Sequence, residues 1–163
     1  MTTEPTWMHR ARRYLGLRET PGKATAPVIS RWLLELRAWW RDDETPWCGV
    51  YVAAVMRKEG LVPPKHWYRA RGWLEFGVSI PDPIPGCIAV FERNGGGHVG
   101  FVAGTDEMGR LMVLGGNQGN AVSLALFDRA RALGYRWPST VPIPATRLPL
   151  VASNGATSST NEA

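Results

Sequence analysis

"TPWCGVYVAAVM", residues 45–56, decides how this chain reads. Pro46, a residue suited to the first turn of a helix, is followed by Trp47, Cys48 and Gly49, and then by an apolar run that ends near Gly60. The run is apolar on every face, so it predicts a buried, central helix over 47–59. Cys48 falls at the start of that helix. There its sulfur meets backbone N–H groups that no intrahelical carbonyl reaches, and the positive end of the helix dipole. Both favour thiolate, the nucleophilic form of cysteine. Gly49 leaves the side next to the sulfur open, and the Cys48 N–H is placed to help hold an oxyanion. A small core thiol fits the same position, so position alone leaves two readings open.

Outward from this stretch, residues 5–18 read as an amphipathic helix with Trp7, Ala11, Tyr14, Leu15 and Leu17 on its apolar side. Residues 27–40 form a second helix that starts at Pro27. A shorter helix is expected over 68–76. Beyond it the period changes. Short strand-like runs at 87–92, 98–105, 110–115 and 121–127 are separated by turns containing Gly, Asn or Asp, and "YRWP" (135–138) adds a last short strand. Helices first and consecutive strands afterwards predict an α+β protein with an antiparallel sheet. Residues 1–150 make one domain, and the small polar residues of 151–163 make a tail expected to be disordered.

The chain has 163 residues, enough for one domain with a proper core. With 44% hydrophobic and 20% charged residues it has the make-up of a globular protein rather than a disordered one. No apolar stretch approaches the ~20 residues that span a bilayer, so no stable membrane insertion is expected. The first residues lack the apolar core of a signal peptide, which places synthesis in the cytoplasm and any action outside it after release. Two cysteines make no disulfide framework, although a Cys48–Cys87 bridge stays open.

The net charge of +5 favours an anionic partner. "HRARRYLGLR" (9–18) and "RARALGYR" (129–136) read as basic helical faces. Nucleic acid is not the expected partner, because no zinc-finger spacing, RNA-recognition signature or basic zipper is present. Among the 8 tryptophans, Trp39-Trp40, Trp47 and Trp67-Tyr68 sit in pairs or beside charges, as in grooves that hold sugars or peptides.

A catalytic cysteine needs a histidine that takes the thiol proton and later protonates the leaving amine. His9 lies among basic residues, and His66 lies in a Pro-rich loop. His98 opens a strand after "NGGG" and is the best-placed partner. A third group must hold the imidazole in the useful tautomer. Asn117, just past the next strand in "LGGNQGN", is the expected one, with Gln118 as the fallback. Trp47, Gly49 and Gln118 are expected at the substrate. A glycosidase would instead need two carboxylates, for which Glu19 and Asp42 or Asp43 could be cast. Asp42, Asp43 and Glu44 could also shape the groove or bind a cation. Three scattered histidines give no metal-ligand spacing, so neither a metal nor another cofactor is expected.

"PWCGVYVAAVMRKEG", "PIPGCIAVFER", "GGHVGFVAG", "LGGNQGNAVSL" and "LGYRWP", in this order, resemble the CHAP/NlpC-type papain-like cysteine amidases and peptidases, in particular a small phage and prophage lysin-like branch. The resemblance covers about residues 5–138. It implies a papain-like α+β fold with the nucleophile at a helix N-terminus packed on an antiparallel sheet. It also implies Cys48 as nucleophile, His98 as base and Asn117 as orienting residue. The implied substrate is bacterial peptidoglycan, cut at an amide bond in or at the base of the stem peptide; separately from the resemblance, a monomer is expected. Where relatives have Pro-Gly-Asp this chain has Pro-Gly-Cys87, which adds a second thiol at a strand start. A catalytically silent wall-binding module and a lysozyme-like glycosidase are the competing functions. An amidase toxin delivered into rival bacteria would use the same chemistry.

Overall fold

The computed structural model describes residues 4–19, 26–40, 46–94, 96–152 and 157–158. Three helices come first: α1 (Thr6–Arg12), α2 (Pro27–Glu35) and α3 (Cys48–Lys58). A 3₁₀ turn at Ala70–Glu75 follows. The strands are β1 (Val78–Ile80), β2 (Ile88–Arg93), β3 (Gly96–Thr105), β4 (Leu111–Gly115), β5 (Ser123–Phe127), β6 (Ala132–Trp137) and β7 (Thr157–Ser158). They form one sheet in the order β1-β6-β2-β3-β4-β5-β7, in which only the β5–β7 pair is parallel. The fold is therefore α+β, with a six-strand antiparallel sheet compatible with the papain-like class.

The helices are shorter than the periodicity predicts. α1 ends at Arg12, and a turn carries the chain to Gly16 at φ +91°, a backbone region open to glycine. α2 ends at Glu35, and Arg37 follows in the left-handed region. α3 lies where the apolar run places it. Every residue from Cys48 to Met56 is buried, as an all-round apolar helix requires. It packs on α1, α2, β3 and β4. Tyr51 is its anchor: the ring meets Phe101 of β3 edge-on at 6.0 Å, and the hydroxyl donates to the Ala11 carbonyl of α1 at 2.7 Å. Trp7 fixes α1 to the sheet side of the molecule by donating to the Gly86 carbonyl at 2.8 Å.

One reading of the C-terminal half needs correction. "RARALGYR" is not a helical face: residues 129–131 form a single 3₁₀ turn and β6 follows. β6 inserts between β1 and β2, so the chain returns from the β5 side of the sheet to the far side of β2. β1 itself, three residues long, is too short to be read as a strand from alternation. The basic run of α1 is also partly neutralised, because Arg10 pairs with Glu59 at 2.7 Å and Arg12 with Glu4 at 2.6 Å.

The β2–β3 hairpin positions the site. Phe91 is paired with His98, and Arg93 with Gly96, so His98 stands near the hairpin end of β3. β4 runs back beside β3 and delivers Gly115, Gly116, Asn117 and Gln118 to the same end.

Candidate active site

Cys48 is the first residue of α3, and the first intrahelical bond there is Tyr51 N–H to the Trp47 carbonyl. The N–H groups of the first turn are thus left for other partners. The N–H groups of Val99, the residue after His98, and of Gly49 and Cys48 lie close enough to the Cys48 sulfur to favour its thiolate. This brings the sulfur against the backbone of β3 at the position of the histidine. Burial nevertheless pushes the thiol pKa up, because removing a thiolate from water outweighs these N–H groups and the charge of Arg93. The expected lowering by the helix N-terminus is therefore overturned by desolvation.

His98 is fully buried. Its ring stacks on Phe127 with centroids 5.1 Å apart and planes 7° from parallel, and Phe127 stacks in turn on Phe91 at 4.5 Å. Burial first, and then the charge of Arg93, lower the His98 pKa to about 3 despite its bond to Gln118. Thiol and imidazole are both neutral at pH 7.

His98 Nε2 lies 2.8 Å from Gln118 Oε1. The Gln118 amide nitrogen donates to the Ser123 carbonyl at 2.8 Å and the Val113 carbonyl at 3.3 Å. Two carbonyls on the nitrogen fix which end of the amide faces the histidine. Oε1 is then the acceptor, so the neutral imidazole carries its proton on Nε2 and leaves Nδ1 as a free lone pair. Nδ1 is buried, and among the described residues it has no hydrogen-bond partner.

The imidazole is thus bonded to Gln118, the fallback, rather than to Asn117, the residue first expected there. Asn117 is buried but sits in the left-handed region at φ +59°, in the turn itself, and among the described residues it is Gln118 that reaches the imidazole. Room for that contact comes from Gly115, where a Cβ would lie 2.3 Å from Gln118 Oε1 and 3.1 Å from His98 Nε2.

None of the three residues expected at the substrate lines the groove above the sulfur. Trp47 is 1% exposed, packs on Gly116, and donates to Glu19 at 3.4 Å. Gln118 is 2% exposed behind His98. Gly49 is not an opening: a Cβ there would fall 2.3 Å from the Trp67 carbonyl, so its bare face is filled by the 67–68 backbone.

The groove has a volume of about 810 Å³, and Cys48 lines it together with Trp39, Trp40, Tyr68, Arg69 and Arg71. Trp39 is 73% exposed and stands edge-on to Trp40 and to Tyr68, at 4.7 Å from each. Trp40 stacks on Trp67 at 5.9 Å. The aromatic pairs had signalled a groove of this kind, but sequence spacing alone did not join Trp39-Trp40 to Tyr68 or to Cys48. Nothing in the sequence singled out Arg69 and Arg71.

The other candidates lie elsewhere. His9 is exposed on α1, and His66 faces Glu75 at 3.7 Å. Cys87 is a free, fully buried thiol whose pKa burial pushes up to about 12, and Cys48 is also free, so the two form no bridge. Glu19 is not on the Cys48 groove. Asp42, Asp43 and Glu44 lie outside the described residues. Among the described residues no group of three or more His, Cys, Asp or Glu is arranged to hold a metal ion, and no helix is long and apolar enough to cross a membrane.

A buried cysteine at a helix N-terminus and a buried histidine on the strand packed against that helix are the arrangement that a papain-like thiol site requires. Comparison with known families agrees: residues 40–117 match the CHAP domain, a stretch that contains Cys48, His98 and Asn117 and ends one residue before Gln118. That stretch of the chain is similar to the CHAP domain, whose members are typically cysteine amidases and peptidases. No curated protein matches the chain.

Proposed function

We propose that this protein is a cysteine-dependent peptidoglycan hydrolase that cuts an amide bond in or at the base of the stem peptide. The observation that carries this reading is the placement of Cys48 beside Val99, the residue after His98, with His98 bonded to Gln118 and with Cys48 lining a groove of aromatic and cationic side chains. The CHAP match supports the class of reaction and the cell wall as its setting.

The neutral resting pair sets the order of events. As the Cys48 sulfur attacks the amide carbonyl, His98 Nδ1 takes the thiol proton, and the resulting imidazolium keeps its Nε2–H on Gln118 Oε1. The carbonyl oxygen becomes an oxyanion, and the Cys48 N–H at the start of α3 is one donor for it. His98 then gives its proton to the leaving amine, the C–N bond breaks, and a thioester to Cys48 remains. Water gives a proton to Nδ1 as it attacks the thioester, and the proton returns to the departing sulfur. The acid is released and the thiol regenerated.

In its finer form the reading is endolysin-like: made in the cytoplasm, released, and drawn to an anionic wall by the +5 charge. The test is digestion of purified peptidoglycan by wild type and Cys48→Ala. Wild type is expected to release new amino termini without reducing sugars, and Cys48→Ala none. Free intact stems identify an amidase, and cleaved stems an endopeptidase. Reducing sugars from both proteins would make the chemistry glycosidic. Equal binding by both proteins without products would leave a wall-binding module.

A further inference from the structure

We propose that Arg71, with Arg69 beside it, forms a carboxylate-binding subsite in the Cys48 groove, so that the preferred substrate carries a free carboxylate next to the amide that is cut. The inference rests on the reading of this groove as the place where Cys48 acts, and it adds what the groove selects.

Arg71 is held in place from both ends. Its guanidinium Nη2 donates to the Gly96 carbonyl at 3.1 Å. Its aliphatic stem lies against Gly97, where a Cβ would stand only 3.3 Å from Arg71 Cγ. Gly97 directly precedes His98, so the guanidinium is fixed to the hairpin that carries the base. One of its five N–H groups is used on Gly96, which leaves the rest of a planar fork for a ligand. Arg69 stacks over Tyr68 at 5.7 Å on the same groove.

Neither arginine forms an ion pair with a described residue, and no carboxylate is among the described groove-lining residues. Two guanidiniums beside a nucleophile, with no ion pair among the described residues, suit an anion, and a planar fork suits a carboxylate. The exposed Trp39, which lines the same groove, offers a flat apolar face on which a sugar or an aliphatic side chain stacks. An acidic peptide next to saccharide meets both requirements.

The probe is one batch of purified peptidoglycan, half of it amidated with carbodiimide and ammonia so that its free carboxylates become carboxamides. Release of amino termini is measured for wild type, Arg71→Gln, Arg71→Lys and Arg13→Gln. The last removes the same charge from an exposed position just after α1 that does not line the groove. Sedimentation of Cys48→Ala and of Cys48→Ala/Arg71→Gln with both materials gives a reading that does not need turnover. Wild type is expected to favour the untreated material by about tenfold, through KM rather than kcat. Arg71→Gln is expected to erase that preference and Arg71→Lys to keep part of it. Arg13→Gln is expected to retain it, and the binding of Cys48→Ala to follow the same pattern. Equal cleavage of both materials by wild type, or equal loss of preference in Arg13→Gln and Arg71→Gln, overturns the subsite. If wild type turns over neither material while Cys48→Ala binding still depends on Arg71, the subsite stands and the hydrolase reading falls. If neither turnover nor binding distinguishes the materials, the subsite falls with it.

Discussion

His98 Nε2 and Gln118 Oε1 are 2.8 Å apart, and the Gln118 amide is itself pinned by the carbonyls of Val113 and Ser123. This relationship sets the tautomer of the histidine and so decides which ring nitrogen is free for the thiol proton. Gln118→Ala is expected to lower kcat by roughly ten- to a hundredfold with KM little changed, since a misplaced base loses rate rather than affinity. Gln118→Glu keeps an acceptor oxygen on Nε2 and is expected to recover part of that loss and to raise the His98 pKa. Asn117→Gly suits the left-handed backbone there and is expected to keep at least about half of wild-type activity. Steady-state kinetics on soluble wall fragments separates the three.

Gly115 tests the same contact from behind. In Gly115→Ala the new methyl would stand 2.3 Å from Gln118 Oε1, so the glutamine must leave the imidazole. Activity is expected to fall at least tenfold although Gly115 is buried and not among the groove-lining residues, with a lowered Tm measured alongside.

The charge state of the resting site is open to chemical test. Burial raises the Cys48 pKa and lowers that of His98 to about 3, so no thiolate–imidazolium pair stands at neutral pH. Alkylation of Cys48 by iodoacetamide is expected to be slow at pH 7 and to climb through the alkaline range. A rate already level from mildly acid pH upward would mark a preformed ion pair.

The same burial makes folding pH-dependent. An unfolded histidine protonates near pH 6.5, whereas His98 in the fold resists until about 3. The stability this provides is full above about pH 6.5 and is lost as pH falls toward 3, by up to a few kcal/mol. Denaturant midpoints between pH 7 and pH 4 are expected to fall in wild type, and to fall less in His98→Gln.

Trp39 is 73% exposed, so removing its side chain leaves the core untouched. Trp39→Ala is expected to raise KM several-fold with the melting temperature unchanged, a split that thermal denaturation and kinetics together reveal.

The sequence made some of these features legible and hid others for physical reasons. α3 was readable because a helix apolar on all faces has one place to go, and its first residue marked the cysteine. β2 to β5 were readable because each is a short apolar run closed by turn residues. β6 was obscured by "RAR", whose arginines lie in the 3₁₀ turn before the strand, where Arg131 reaches back to the Glu92 carbonyl and over Phe127. Which of Asn117 and Gln118 meets the imidazole was beyond sequence spacing, since two adjacent amides differ only in reach and in the φ of the turn that carries them. The groove joins residues 39, 48 and 69–71, which come together through the turn at Ala70–Glu75 rather than through any local pattern.

The most direct measurement is mass spectrometry of the protein quenched during turnover of soluble peptidoglycan fragments. A thioester adduct on the peptide containing Cys48, with the mass of the acyl half of the substrate, is the predicted result, and Gln118→Ala should build it more slowly. Turnover without any adduct on Cys48, undiminished in Cys48→Ala, would contradict the account.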